Sequence, residues 1–259
     1  MKALVRDIIA QIPGVREWVA KKIFLGANHN HYRFLGVYSS QAEAKAHIPR
    51  EVAHGFDDPS LSETFDESVP PQDEPVVKIL SRLMPEIKTI FDLGGCIGFC
   101  FYRYRSRMTY PSDLRWIISD VPFVNKLGRQ IAEKRGETQL FFTENPAVAS
   151  GSDVYLTTGA LQFFDESLAD ILAKLEEKPK HVLINRVPMI PDKSTFFTLQ
   201  HTDYSVVPYR IANIPQFVSE MAEIGYELVE QWEVDRFCEI ILHPERYVRN
   251  YYGFYFVRI

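Results

Sequence analysis

From residue 87 onward the chain alternates short apolar runs with longer segments of helical spacing. The runs are Thr89–Leu93, Arg115–Ser119, Gln139–Thr143, Asp153–Thr157 and His181–Asn185, and each reads as a strand. Runs without polar alternation suit parallel strands covered on both faces. Helices are predicted between them. Val76 to Met84 carries apolar residues at helical spacing and stops before Pro85. Pro122 opens a helix that Gly136 closes, since proline fits a first helical turn and glycine a C-terminal stop. Asp165 is the expected cap of a helix whose face is Leu168, Ile171, Leu172 and Leu175. After a long insertion, Arg186 to Asn213, Pro215 opens a last helix that Gly225 ends. Tyr226–Val234 and Tyr251–Arg258 read as closing strands, with Phe237–Leu242 as a further candidate. Strands alternating with helices, ended by a strand pair, predict a doubly wound α/β sheet.

Upstream the pattern is weaker. Met1 to Leu25 mixes apolar residues with Arg6, Asp7, Arg16, Glu17, Lys21 and Lys22, and predicts an amphipathic helix pair broken near Pro13-Gly14. Those charges interrupt any apolar core, so the segment is not read as a signal peptide but as a helix docked on the protein's own body. Residues 26–75 read as irregular and polar, with one helix near Ser40 to Ala46 and a proline-rich acidic linker or lid from Asp57 to Glu74. The expected division is therefore an N-terminal cap and linker over 1–75 and a main domain over 76–259.

With 259 residues, 46% of them apolar, the chain can bury a sizeable core. A net charge of −5 without a basic block argues against a nucleic-acid partner. Three cysteines make no disulfide framework and fit a cytoplasmic protein. No membrane span is expected, and no Cys/His spacing supports a metal site. The oligomeric state is not legible.

The segment with the most chemistry is Asp92-Leu93-Gly94-Gly95-Cys96-Ile97-Gly98, an acid at a strand end followed by a glycine-rich turn. Glycine allows a tight turn and a close backbone approach to a ligand. Ligands of open α/β sheets bind at the carboxyl ends of the strands. Asp120 ends the next apolar run at a spacing that suits a ribose hydroxyl. Neither the dehydrogenase pattern G-x-G-x-x-G nor the phosphate loop G-x-x-x-x-G-K-[ST] is present. The segment resembles the first motif of class I S-adenosylmethionine-dependent methyltransferases, Asp/Glu-x-Gly-x-Gly-x-Gly, with Cys96 in place of the middle glycine.

That resemblance implies a Rossmann-like seven-stranded class I methyltransferase sheet with a reversed terminal strand pair and an N-terminal helical extension. It implies S-adenosyl-L-methionine as cofactor, held by Asp92, Gly94, Gly95, Gly98 and Asp120. Gly159, Leu161 and Gln162 of the loop after the fourth strand would lie along it. Thr143 and Glu144 either bind adenine or form a plain polar turn. Arg186 either meets substrate or pairs structurally with Asp165 or Glu144. His201, in the insertion, is the general-base candidate by residue type or else a lid residue. Gln200, Tyr204, Tyr209 and Arg210 are the expected acceptor contacts.

Further segments, among them Phe34-Leu35-Gly36-Val37-Tyr38, Asn185-Arg186-Val187-Pro188 and Tyr252-Gly253-Phe254-Tyr255-Phe256, resemble a bacterial family of uncharacterised methyltransferases associated with surface-polysaccharide genes. The expected reaction is O-methylation of a small polar or saccharide-type acceptor. Two alternatives stay open: a non-catalytic accessory protein that binds the cofactor on a degenerate fold, and an NAD-dependent oxidoreductase.

Overall fold

The computed structural model describes residues 14–26, 32–53, 55–56, 61, 64–202 and 204–259. The first helix of the expected N-terminal pair and part of the acidic linker lie outside the described residues. In chain order the elements are α1 (Val15–Leu25), β1 (Arg33–Tyr38), α2 (Gln41–Ala46), α3 (Glu74–Leu83), β2 (Thr89–Leu93), α4 (Phe99–Tyr104) and β3 (Arg115–Ser119). Then come α5 (Pro122–Lys134), β4 (Leu140–Thr143), β5 (Val154–Thr158), α6 (Leu168–Ala173), β6 (His181–Ile190), β7 (Phe196–His201) and β8 (Val206–Asn213). The chain closes with α7 (Ile214–Glu223), β9 (Tyr226–Val234), β10 (Ile240–Ile241) and β11 (Tyr251–Arg258).

Seven strands form the main sheet in the order β4-β3-β2-β5-β6-β11-β9. The first five run parallel, and β11 lies antiparallel between β6 and β9. The reversed strand pair is the expected one and distinguishes this sheet from an all-parallel six-stranded dehydrogenase sheet.

Side chains along each parallel strand alternate between two cores. Ile90, Trp116, Ile118 and Leu156 pack on one face with Val76, Ile79 and Leu80 of α3 and Ile131 of α5. Phe91, Ile117, Tyr155 and Val182 pack on the other with Leu168 and Leu172 of α6 and Phe217 and Met221 of α7. Both faces are apolar, so the strands carry no polar alternation. Burial of each large side chain stabilises the fold by about 1.5–3 kcal/mol, which makes these two layers the main support of the sheet.

Three further strands, β1, β7 and β8, depart from the expectation, while β10 falls within the candidate Phe237–Leu242. The segment 26–75 contains a strand, β1, whose pairing with β7 runs through Phe34↔Gln200 and Leu35↔Leu199. The insertion after the fifth strand of the main sheet is a β-hairpin, β7–β8, rather than an irregular cover. Strand β6 does not stop at Asn185; it continues to Ile190 through Arg186, whose φ of 58° marks the irregularity in its pairing with β11. The prolonged end of β6 then pairs with β8 at Met189↔Ala212. The resulting arrangement β10-β1-β7-β8 extends the sheet at its carboxyl side. Phe24 of α1 is fully buried against Phe197, Leu199 and Val206 of this extension, so the helix docks on the body as expected.

A smaller correction concerns α6. Its cap is Ser167, whose Oγ accepts from the Asp170 amide at 3.1 Å, not Asp165. Serine three residues before an acid is the better capping pair. The Asp165 carbonyl instead faces the Arg210 guanidinium at 3.3 Å.

Candidate functional site

The carboxyl ends of β2, β3 and β4 stop level with one another, through Leu93↔Ser119 and Ser119↔Thr143. On the other side of β2, Thr158 of β5 is level with Asn185 of β6. Strand order reverses between β2 and β5, which is where open α/β sheets form a ligand crevice. A cavity of about 550 Å³ lies there. Gly94, Cys96, Asp120, Glu144 and Gly159 contribute to its walls.

The two loops that flank the reversal are in contact. Gly94 has φ 69° and its amide donates to the Ser119 carbonyl at 2.8 Å. A Cβ on Gly94 would lie 2.2 Å from Cβ of Ala160. Only glycine lets the loop after β2 turn at that angle and pass the loop after β5. Gly95 is held to glycine from below, because a Cβ there would lie 2.6 Å from Cγ of Asp92. Cys96 takes the position where the methyltransferase motif has its middle glycine, and it adopts φ 56°. The loop thus keeps a left-handed backbone that a non-glycine residue holds at a cost of about 1–3 kcal/mol.

Asp120 fixes that loop. Its Oδ2 accepts the Cys96 amide at 2.9 Å and its Oδ1 accepts the Val121 amide at 2.8 Å. Burial raises its pKa, and the two amide hydrogen bonds oppose the rise. Each carboxylate oxygen has a second lone pair, so the side chain can still accept a hydroxyl donor from the cavity. Asp92 lies deeper and has no exposed surface. Trp116 donates Nε1–H to its Oδ2 at 3.0 Å, while Oδ1 has no hydrogen-bond partner among the described residues. Burial pushes its carboxyl up to about 7, against the Trp116 hydrogen bond.

Below the loop after β5 is a buried polar network. Asp73, with no exposed surface, accepts from Asn185 Nδ2 at 2.9 Å and has Arg186 Nε at 3.4 Å. Arg186 Nη2 donates to Thr158 Oγ1 at 3.0 Å. Cys100 Sγ lies 3.2 Å from the same hydroxyl, and burial pushes that thiol up to about 12. The network ties residues 71–73, just before α3, to the ends of β5 and β6. The partner of Arg186 is therefore Asp73, where the sequence suggested Asp165 or Glu144; Glu144 faces Arg129 at 3.5 Å.

The remaining candidates separate by position. Gly98, at φ 105°, precedes α4 and packs near Leu140 and Tyr102. Thr143 Oγ1 accepts the Asn145 amide. Leu161 is buried in the core and Gln162 donates to the Gly159 carbonyl at 2.6 Å. Of the expected acceptor contacts, Tyr204 is on the cavity wall. Gln200 is buried in β7, Tyr209 donates to Tyr251 Oη at 2.9 Å, and Arg210 donates to the Glu166 carbonyl at 2.8 Å. His201 has its ring edge against Phe24 and its Nδ1 3.5 Å from Arg33 Nη2, and it is not among the cavity-lining residues.

The walls also include residues that motif reading passed over. Val121, Val124 and Pro146 come from the start of α5 and the turn after β4, and Phe56 and Leu61 from the linker. The linker residues follow no periodic pattern. The others sit just beyond strand ends, where position in the sheet was their one signal.

Among the described residues no helix is long and apolar enough to cross a membrane, and no group of three or more His, Cys, Asp or Glu could hold a metal ion. No protein-family model matches the chain, and no curated protein matches it in sequence. Solved structures do. One is a candidate sarcosine dimethylglycine methyltransferase from Galdieria sulphuraria, 11% identical with a TM-score of 0.51, covering 71% of this chain and 84% of that one. Another is the glycopeptide N-methyltransferase MtfA complexed with S-adenosyl-L-methionine, 10% identical with a TM-score of 0.50, covering 73% of this chain and 94% of that one. Together with the strand order and the reversed β11, these likenesses show that the chain has the Rossmann-like fold of class I methyltransferases.

Proposed function

We propose that the protein is an S-adenosylmethionine-dependent methyltransferase acting on a small-molecule acceptor. The observation that carries this reading is the crevice at the strand-order reversal, with a glycine turn and the Asp120 carboxylate on one wall. The residues fit the cofactor. The missing Cβ of Gly94 lets its backbone pass Ala160 and reach the cavity wall, and Asp120 retains acceptor capacity for ribose hydroxyls. Glu144, also on the wall, is an acceptor for an adenine amino group. Asp92, buried directly beneath Gly95, supports the glycine turn from below.

When bound, S-adenosylmethionine would supply a methyl group activated by its sulfonium, which an acceptor's lone pair could take while sulfur keeps the C–S electron pair and the acceptor's proton passes to water or a base. The chain's own part is alignment and exclusion of water. Holding acceptor and methyl group in one orientation removes much of the entropic barrier. Gly94, Cys96 and Asp120 form a preorganised wall, and Phe56, Leu61 and Tyr204 line the cavity with them.

The saccharide-type acceptor rested on Gln200, His201, Tyr204, Tyr209 and Arg210 and on the resemblance to polysaccharide-cluster proteins. Tyr209 and Arg210 bond partners inside the protein, and neither Gln200 nor His201 lines the cavity, which leaves Tyr204 and the resemblance as the support for that class. Arg186 serves in this reading as a positioning residue for the loop at Gly159. The test is transfer of labelled methyl from S-adenosylmethionine into a panel of small phenols, amines and sugars. Labelled product from at least one class is expected. Tight cofactor binding without product from any class would favour the non-catalytic alternative.

A further inference from the structure

The cavity is lined by two unlike sets of residues. The polar groups, Gly94, Asp120 and Glu144, come from the loops after β2, β3 and β4. Phe56, Leu61, Phe99, Phe163, Phe164 and Tyr204 also line it. Five of these six are aromatic, and they come from four separate segments of the chain.

This aromatic wall is held in place. Phe56 meets Phe163 edge-on, with centroids 5.1 Å apart at 65°. Phe163 meets Tyr209 in the same manner, at 5.4 Å and 75°. Tyr209 is itself fixed by its hydroxyl contact with Tyr251. The backbone carbonyl of Phe163 accepts from Gln41 Nε2 at 3.1 Å, so α2 braces the turn from outside. Phe99 is braced by Phe65 at 4.9 Å and 74°. Rings fixed in this way present flat apolar area without losing conformational entropy when a ligand arrives. Phe56, 36% exposed, sits on the rim.

Such a wall discriminates by chemistry. A planar aromatic ligand gains offset and edge contacts with rings already oriented to make them. A sugar would set several hydroxyls against carbon, and each one left without a partner weakens binding. We infer that the acceptor is a small planar aromatic molecule, bearing its nucleophilic hydroxyl or amine on the edge turned toward the Gly94 side and its ring against Phe56 and Phe163. This rests on the methyltransferase reading and narrows its acceptor.

The test is calorimetric binding of naphthol and of methyl glucoside to the full chain saturated with S-adenosylhomocysteine, in wild type, Phe56→Ala and Phe56→Tyr. Naphthol is expected to bind in the presence of the cofactor product. The rim variant Phe56→Ala should weaken it about tenfold, and Phe56→Tyr should retain it. Methyl glucoside should give no saturable heat. Four outcomes overturn the inference alone: S-adenosylhomocysteine binds but naphthol does not; glucoside binds more tightly than naphthol; Phe56→Ala leaves naphthol affinity unchanged; or naphthol competes with S-adenosylhomocysteine. If S-adenosylhomocysteine itself does not bind, the methyltransferase reading fails, and this inference fails with it.

Discussion

The Cys96 amide donates to Oδ2 of Asp120 at 2.9 Å, so the glycine loop after β2 and the acid that ends β3 form one unit. A cysteine stands where the motif has glycine, yet the backbone keeps the left-handed turn, φ 56°, that aims the amide at the carboxylate. The substitution is carried by the backbone rather than by a new loop path.

That turn is tolerable for an unbranched side chain and poor for a β-branched one. Cys96→Val should therefore be less stable than Cys96→Gly by about 1–2 kcal/mol, since glycine removes the left-handed strain that valine increases. Urea unfolding of the two variants measures the difference. Equal midpoints would mean that the loop relaxes freely.

Two glycines with nearly equal φ separate strain from steric contact. Gly94 is at 69° and Gly136 at 68°. A Cβ at Gly94 would meet Ala160 at 2.2 Å, while one at Gly136 meets nothing within 4 Å. Gly136→Ala should cost about 1–2 kcal/mol, the left-handed term alone. Gly94→Ala should cost about 1–3 kcal/mol more, as the overpacked loops separate. It should also lower affinity for S-adenosylhomocysteine, which Gly136→Ala should leave unchanged.

Asp73 has no exposed surface and depends on Arg186 and Asn185. Arg186→Met should destabilise the fold by about 3–5 kcal/mol, because it leaves a buried carboxylate without its cation. Adding Asp73→Asn should recover a large part of that loss, since the uncompensated charge is gone. Additive losses in the double variant would contradict the pairing.

Asp92 gives a pH dependence of definite sign. Its carboxyl is raised by burial from the ordinary value of 3.8 to about 7. Between those values the folded state keeps a proton that the unfolded state has released. Stability contributed by this group is fully present below the unfolded pKa and is lost as pH rises through the folded one, at up to about 1.4 kcal/mol per pH unit. Asp92→Asn keeps an oxygen for Trp116 Nε1–H and removes the titration. Relative to wild type, the variant should gain stability between about pH 4 and about pH 7. A constant difference across that window would show that Asp92 does not titrate there.

Strands β2, β3, β5 and the first half of β6 were legible because burial on both faces leaves no polar positions in Ile90-Phe91, Ile117-Ile118 or Val182-Leu183-Ile184. The acids and glycines at their ends were legible because chemistry at a carboxyl edge needs those residue types. The extension was not. Pro188 and Pro208 bring no N–H to a ladder, yet both stand inside strands. At Pro208 the strand pairs with β7 through Leu199, whereas its pairing with β6 is confined to Ala212 and Asn213. The missing N–H thus falls where one side of the strand has no ladder. Once β7 and β8 are buried on both faces, Gln200, Tyr209 and Arg210 turn inward, which no spacing rule applied to a presumed loop could foresee. The aromatic wall was hidden for a different reason: Phe56, Phe99, Phe163 and Tyr204 meet only through tertiary folding.

The most direct measurement is titration of S-adenosylhomocysteine into wild type and Asp120→Ala, with NAD as the comparison ligand. The account predicts a saturable single site for the sulfur compound, no comparable heat for NAD, and a loss of about 1–3 kcal/mol of binding free energy in the variant, the scale of a removed charge-assisted hydrogen bond. Binding of NAD without any response to S-adenosylhomocysteine, or an affinity untouched by Asp120→Ala, would contradict it.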